Sequence, residues 1–335
     1  MVPDEDPREL EGVLNPASAR TRDGKLLLYP RAVAKGNVSR VGRVHVTQSD
    51  GAFSTEREGY ALEPQASYEL RSTPGGYGCE DPRATFVPML DRYVMAYTAF
   101  GPPGPRIAIA LSRDGYTWER LGLMRFAQPG MVDGDDKDAA FFPEPVISPR
   151  GVRSFAFYHR PMLHLSAVDG RAAIPLIERL PFEDRESIRI GYVPLEPALR
   201  DPQALLDVHE SVIVLSPDAN WGSIKVGGGT PPVRIAEGWL SLFHGVDLID
   251  NSGAKPKFRY SAGIVIHEAE QPHKVVYRSP HPVLAPETEY ERKGIVDNVV
   301  FPTAIDERAD LGSRIYDIYY GMADYAIGAA RLTLP

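Results

Sequence analysis

Five strand-like segments, each carrying a large aromatic and ending in a polar cluster, recur along the whole chain and constrain its fold more than any other feature. They are Leu26-Leu-Leu-Tyr29-Pro-Arg31, Val94-Met-Ala-Tyr97-Thr98, Phe155-Ala-Phe-Tyr158-His159-Arg160, Leu240-Ser-Leu-Phe243-His244-Gly245 and Tyr316-Asp-Ile-Tyr319-Tyr320-Gly321. Aligned on Tyr29, Tyr97, Tyr158, Phe243 and Tyr319, they stand 68, 61, 85 and 76 residues apart. That period is longer than a minimal four-strand propeller blade but of its order, and insertions supply the excess.

A proline marks a strand entrance upstream of each aromatic: Asn15-Pro16, Asp81-Pro82, Phe142-Pro143-Glu144, Pro231-Pro232 and Phe301-Pro302. Downstream of several aromatics runs a further apolar strand, as in Arg106 to Leu111 or Tyr260 to Ile266, closed in places by a turn such as Ser112 to Gly115. Entrance strand, aromatic strand and outer strand together make one blade. The expectation is an all-β chain, a single five-bladed β-propeller over 1–335, with entrance strands innermost and their polar residues converging at one mouth of the axis. A β-sandwich or a two-domain β protein is the rival. The pattern fades between Pro161 and Trp221, with a helix expected from Pro202 to His209, so residues from about 162 to 220 read as an insertion near that mouth.

Composition agrees with many turns between short strands. The 335 residues include 31 Pro and 30 Gly, scattered rather than clustered. A net charge of −8 with no Lys/Arg block argues against nucleic acid or an anionic membrane as partner. Cys79 is the single cysteine, which excludes an internal disulfide and fits a reducing compartment. The acidic, apolar-poor start from Met1 to Glu11 is unlike a signal peptide, and no apolar run reaches transmembrane length, so the expected location is the cytoplasm.

The stretch Gly78-Cys79-Glu80-Asp81-Pro82-Arg83 carries the chemistry. Pro82 is expected to hold Asp81 extended at a strand entrance, with Arg83 on the same face keeping its carboxylate ionised, and Asp81 is the leading catalytic candidate. The bland alternative is an Asp-Pro turn with a surface ion pair. Cys79 reads as packing rather than nucleophile. Arg31, Arg160, His244 and Tyr320 stand just past the aromatic strands, and with Lys137 and Lys225 they form a candidate anion cradle. Taken singly, each has a structural reading. Gly227-Gly228-Gly229 lacks the Lys-Ser/Thr of a phosphate loop and reads as a tight turn. The eight His show no paired spacing and the acid-dense run from Asp133 to Asp138 contains Lys137, so no metal site is expected. Trp221, Trp239 and the tyrosines suit either sugar stacking or core.

Five motifs in order give the chain a specific likeness: Asn15-Pro-Ala with Tyr29-Pro-Arg31; Glu80-Asp81-Pro82-Arg83 with Tyr97-Thr-Ala; Lys137-Asp138-Ala-Ala-Phe-Phe-Pro143-Glu144 with His159-Arg160-Pro161; Gly238-Trp239 through His244-Gly245-Val246; and Asn298-Val-Val-Phe-Pro302 with Tyr319-Tyr320-Gly321-Met-Ala-Asp324. Over essentially its full length the chain resembles glycoside hydrolase family 130, the mannoside phosphorylases and related β-mannosidases. The resemblance implies a five-bladed propeller and an inverting β-mannoside phosphorylase, converting a β-linked mannoside oligosaccharide and phosphate to α-mannose 1-phosphate and a shorter sugar. It implies Asp81 as proton donor, acting through the mannose 3-hydroxyl. It implies Asn15, Arg31, Arg40, Asp138 and Asp324 around the mannose, and Lys137, Arg160, Lys225, His244 and Tyr320 around phosphate. Inorganic phosphate would be a co-substrate, with no cofactor and no metal. Two positions depart from the mannosylglucose phosphorylase branch: Lys137-Asp138 stand in place of Arg-Asn, and Pro145 in place of Lys. An inverting β-mannosidase is the second reading, and it needs a carboxylate base such as Glu144 or Asp138. A non-catalytic sugar-binding propeller is the third. Homo-oligomerisation stays open.

Overall fold

A computed structural model describes residues 1–49, 52–73, 75–126, 134–163, 170–253 and 255–335. The strands fall into five consecutive groups. The first holds β1 (Gly12–Arg20), β2 (Leu26–Ala34), β3 (Val38–Ser49) and β4 (Ala52–Leu62). In the second are β5 (Tyr77–Val87), β6 (Arg92–Gly101), β7 (Gly104–Ser112) and β8 (Glu119–Leu123). A short parallel pairing of β3 with β5, at Val38–Tyr77 and Ser39–Gly78, joins these two groups into one eight-stranded sheet.

The third group contains β9 (Asp136–Phe141), β10 (Val146–Ile147), β11 (Arg153–Pro161), β12 (Ile188–Pro194) and β13 (Glu210–Leu215). Next come β14 (Lys225–Gly228), β15 (Val233–Ile235), β16 (Gly238–Asp250), β17 (Lys257–His267) and β18 (Val275–Arg278), and the last group is β19 (Val300–Glu307), β20 (Ile315–Met322) and β21 (Ala326–Thr333). These make sheets of five, five and three strands, and none of the four sheets closes on itself.

Tyr29, Tyr97, Tyr158, Phe243 and Tyr319 lie on β2, β6, β11, β16 and β20, each a middle strand of its group, and all five are buried. A strand buried on both faces favours such large residues, because one buried aromatic side chain removes about 150–250 Å² from water. The resulting cores lie between groups: Tyr29 with Tyr97 and Trp118, Ile109 with Phe157, Tyr158 with Phe243, Leu242 with Ile318. A fifth joins the last group to the first through Tyr319, Ala304, Leu28 and Val44. Met1 and Ile327 exchange backbone hydrogen bonds of 2.7 and 2.9 Å across the same seam. Trp221 and Trp239 belong to the core of Tyr158 and Phe243 and not to an exposed stacking surface.

Part of the segment read as an insertion belongs to the sheet of the third group. Its outer strands β12 and β13 come from there, leaving the stretch before β12, with helix α1 (Gly170–Arg179), as the added piece. The helix expected from Pro202 to His209 is a 3₁₀ turn, Pro202–Leu206, whose first turn is capped by the Asp201 side chain accepting the Gln203 N–H at 2.9 Å.

Candidate active site

The strands β1, β5, β9, β14 and β19 lie side by side, and three of them carry the same local device near the site. Between Leu14 and Ala17, between Glu80 and Arg83, and between Lys137 and Ala140, the inner strand holds one residue more than its partner. Each is a β-bulge, and in each an Asn or Asp takes a positive φ: Asn15 at 43°, Asp81 at 45° and Asp138 at 61°. Short Asx side chains tolerate this region best. Pro16 and Pro82 sit where a missing ladder N–H costs least. Asp81 is therefore not extended as its proline predicts, because the bulge overrides the local preference of a residue before proline.

The bulges aim two of these side chains at each other. Asn15 donates its amide N–H to Asp81 Oδ1 at 2.8 Å, and Arg31 Nη1 donates to the same oxygen at 3.3 Å. Arg31 Nη2 also donates to Glu80 Oε1 at 2.9 Å, and Lys137 Nζ lies 3.5 Å from Glu80 Oε2. Burial by itself would push the Asp81 carboxyl up; the charges of Arg31, Lys137 and Arg83, with the Asn15 hydrogen bond, hold it below the usual carboxylate range. Asp324 shares this field, with the charges of Arg31 and Lys137 in reach but no hydrogen bond to its carboxylate found among the described residues. Burial pushes its carboxyl up to about 6, with Arg31 opposing and the charge of Asp81 adding.

Asp138 is the centre of a second group. It accepts from Arg160 Nε at 2.7 Å, with Arg83 Nη2 at 3.6 Å and His244 Nε2 at 3.9 Å. Although burial opposes ionisation, Arg160, His244 and Arg83 keep Asp138 well below the usual range. Burial holds His244 neutral, its pKa pushed down to about 3, and its Nδ1 is buried without a partner among the described residues. Lys225 Nζ lies 5.6 Å from the Tyr260 ring centre, and Arg160 Nη1 is bonded to Glu186. Arg83 links the two groups. It donates to the Asp81 backbone carbonyl at 2.9 Å and to the carbonyls of Gly228 and Gly229 at 3.1 Å each, which is a positioning role for the strands and not a direct bond to the Asp81 carboxylate.

Gly227 to Gly229 are not a tight turn. They continue β14 against the site so closely that a Cβ on Gly227 would come within 2.3 Å of His244 and 2.4 Å of Asp138. Only glycine admits that approach.

Of the sequence-predicted residues, Asn15, Arg31, Asp81, Asp324 and Lys137 gather in the first group, and Asp138, Arg160, Lys225 and His244 in the second. Lys137 thus joins the Asp81 side, not the expected cradle. Arg40 faces away: it pairs across from Ala32, on the opposite face from Arg31, lying 3.5 Å from Glu63 and over the Tyr60 ring. The Tyr320 hydroxyl donates to Glu291 at 2.8 Å and its ring packs against Gly328, so it is engaged in the fold. Glu144 is exposed just past the far end of β9, six residues beyond Asp138, which removes it as a base beside Asp81. Asp133 lies outside the described residues, and among the described residues no three His, Cys, Asp or Glu side chains form a metal-binding group. Cys79 is buried in the core, its thiol pushed up by burial. The sequence reading missed the roles of Glu80 and Glu186; Glu186 stands in an acidic run with nothing to distinguish it from Glu183.

The family profile described as beta-1,4-mannooligosaccharide phosphorylase matches residues 5–170 and 204–334. The chain is 28% identical over 309 residues to the 1,2-beta-oligomannan phosphorylase of Thermoanaerobacter sp. (strain X514), covering 91% of this chain and 82% of that protein. It is 41% identical over 121 residues to the Beta-1,4-mannooligosaccharide phosphorylase of Ruminococcus albus, 36% of this chain and 34% of that one. In fold it is similar to the Beta-1,2-Mannobiose phosphorylase from Listeria innocua in complex with beta-1,2-mannobiose, with a TM-score of 0.70 at 20% identity, covering 96% of this chain and 89% of that chain. A further structure, described as "The GH130 family of mannoside phosphorylases contains glycoside hydrolases that target beta-1,2 mannosidic linkages in Candida mannan", matches at a TM-score of 0.71 and 20% identity over 99% of this chain and 90% of that one.

Proposed function

The chain belongs to glycoside hydrolase family 130, and from that premise we propose that it is an inverting β-mannoside phosphorylase. Phosphate attacks the anomeric carbon of a β-linked mannoside, the glycosidic C–O bond breaks, and α-mannose 1-phosphate leaves with a shorter sugar. The observation that carries this reading is the convergence of Arg160, Lys225 and His244 around Asp138, in a group tied through Arg83 to the Asp81 strand. Two cations, Arg160 and Lys225, with the neutral His244 beside them suit an anionic nucleophile, whereas water needs a carboxylate base, and Asp138, the carboxylate at that place, is already held by Arg160 and Arg83.

Asp81 is the acid. Its neighbours Arg31, Lys137 and Arg83 favour its ionised form, so it must gain its proton as substrates bind. A phosphate dianion offsets the cations that hold its pKa down, and Asp324 adds a like charge that favours the protonated form. The proton passes to the leaving oxygen through the mannose 3-hydroxyl, while Asn15, Arg31 and Asp324 orient the ring. Phosphate is a co-substrate, and no cofactor is required.

The five strand groups, the five cores between them and the Met1–Ile327 seam support one five-bladed propeller over 1–335. A cytoplasmic location fits a lone buried cysteine and the lack, among the described residues, of a helix long and apolar enough to cross a membrane.

Incubation with β-1,2- and β-1,4-linked mannobioses, with and without phosphate, tests the reading. Mannose 1-phosphate formed only with phosphate is expected. Free mannose formed equally without phosphate would make the protein a β-mannosidase.

A further inference from the structure

Glu186 stands inside the cationic pocket. Its Oε2 is bonded to Arg160 Nη1, and Oε1 accepts the Leu163 N–H at 3.3 Å. The backbone carbonyl of Glu186 accepts the Val226 N–H at 3.0 Å, which docks the residue on β14 beside Lys225. Glu186, Lys225 and Tyr260 also line a cavity of about 180 Å³ between α1 and β16–β17. The charge of Glu186 reaches Lys225, where it favours the protonated amine.

Arg160 therefore carries two carboxylates. Asp138 holds Nε from a bulged inner strand, is nearly sealed from solvent and has Arg83 as a further counter-charge. Glu186 holds Nη1 from the connection between β11 and β12 and keeps 14% of its side chain exposed. It also lies in the stretch 171–203, which the family profile does not match. A carboxylate oxygen and a phosphate oxygen are equivalent acceptors for a guanidinium N–H, and with Asp138 already on Nε, a second and a third anion compete for the Nη1 position. One of them must yield.

We propose that Glu186 is an internal anion that occupies the phosphate position on Arg160, so that phosphate binds only by displacing it. This makes Glu186 a determinant of phosphate affinity, and it rests on the phosphorylase reading above. Asp138 remains on Nε to orient the guanidinium. When Glu186 leaves, Nη1 and the Lys225 ammonium turn to the phosphate oxygens together. The apparent affinity is lowered by the fraction of molecules in which Glu186 holds Arg160.

Calorimetric titration of inorganic phosphate into the full-length protein, without sugar, tests this on wild type, Glu186→Gln and Glu186→Ala. Both variants should bind phosphate more tightly, by about tenfold if Glu186 holds Arg160 nine-tenths of the time. Hydrogen exchange on wild type needs no variant to fold: phosphate should speed exchange of the peptide spanning 173–187 as Glu186 is released. Unchanged or weaker phosphate binding in Glu186→Gln, or slower exchange across 173–187, would overturn the proposal and make Glu186 a positioning residue for Arg160. If that occurs while turnover still depends on phosphate, the phosphorylase reading stands and only this inference falls. Absence of phosphate binding and of phosphate-dependent turnover in every form sinks both.

Discussion

Asn15 and Asp81, 66 residues apart in sequence, meet through a 2.8 Å hydrogen bond between two β-bulges, each at a left-handed φ. The pairing leaves the carboxylate one face toward Arg31 and sets its direction from two separate strands. Asp81→Asn preserves that shape and removes the proton. The kcat should fall by about 10²–10⁴-fold, with mannoside binding and melting temperature largely retained. Substantial retained turnover would move the acid elsewhere.

Gly321 backs Asn15 so closely that an added Cβ would lie 1.9 Å from Asn15 Oδ1. Gly321→Ala must therefore push the amide off Asp81. A loss of activity is expected together with overpacking destabilisation of about 1–3 kcal/mol, read from denaturant unfolding and steady-state rates on one preparation. An active, fully stable variant would show that the Asn15 contact does not matter.

Asp324 gives a pH dependence with a definite sign. Its folded pKa of about 6 lies above the usual 3.8 of an aspartate, so the native state binds its proton more tightly than the unfolded chain. That contribution favours folding at low pH and is lost as pH rises through about 4 to 6. Replacing Asp324 with Asn should raise stability at pH 8 by up to about 3 kcal/mol, and the gain should shrink toward pH 4. Melting curves of wild type and variant across this range decide it; a gain independent of pH would mean that Asp324 is not the titrating group.

Lys225 and Arg160 separate binding from folding. No hydrogen bond or ion pair is found for Lys225 Nζ among the described residues, so Lys225→Ala should raise the phosphate KM by about 10- to 100-fold at little cost in stability, with the mannoside KM far less affected. Arg160→Ala leaves Asp138 and Glu186 without their shared partner. It should lower stability by about 3–5 kcal/mol as well as weaken phosphate binding. Equal changes in the two KM values for Lys225→Ala would take Lys225 out of the phosphate pocket.

The all-β strand plan was legible from the residues alone. Buried strands must carry apolar or aromatic side chains at short range, so Tyr29, Tyr97, Tyr158, Phe243 and Tyr319 announce their strands locally. Asn15-Pro16 and Asp81-Pro82 likewise mark their inner strands by composition, but the left-handed bulge at each was not readable from the dipeptide, which predicts extended backbone. What tertiary structure decided was direction. A single extra residue in β1, β5 or β9 reverses which face a side chain takes, and the register that places it is set by a partner strand elsewhere in the chain. Arg40, Tyr320 and Glu144 had the right chemistry and the wrong direction, while Gly227 was needed for an approach by Asp138 and His244 that only the assembled strands create. Glu186 entered the pocket for the same reason: its carboxylate is one among several in an acidic run until β12 and β14 bring it to Arg160.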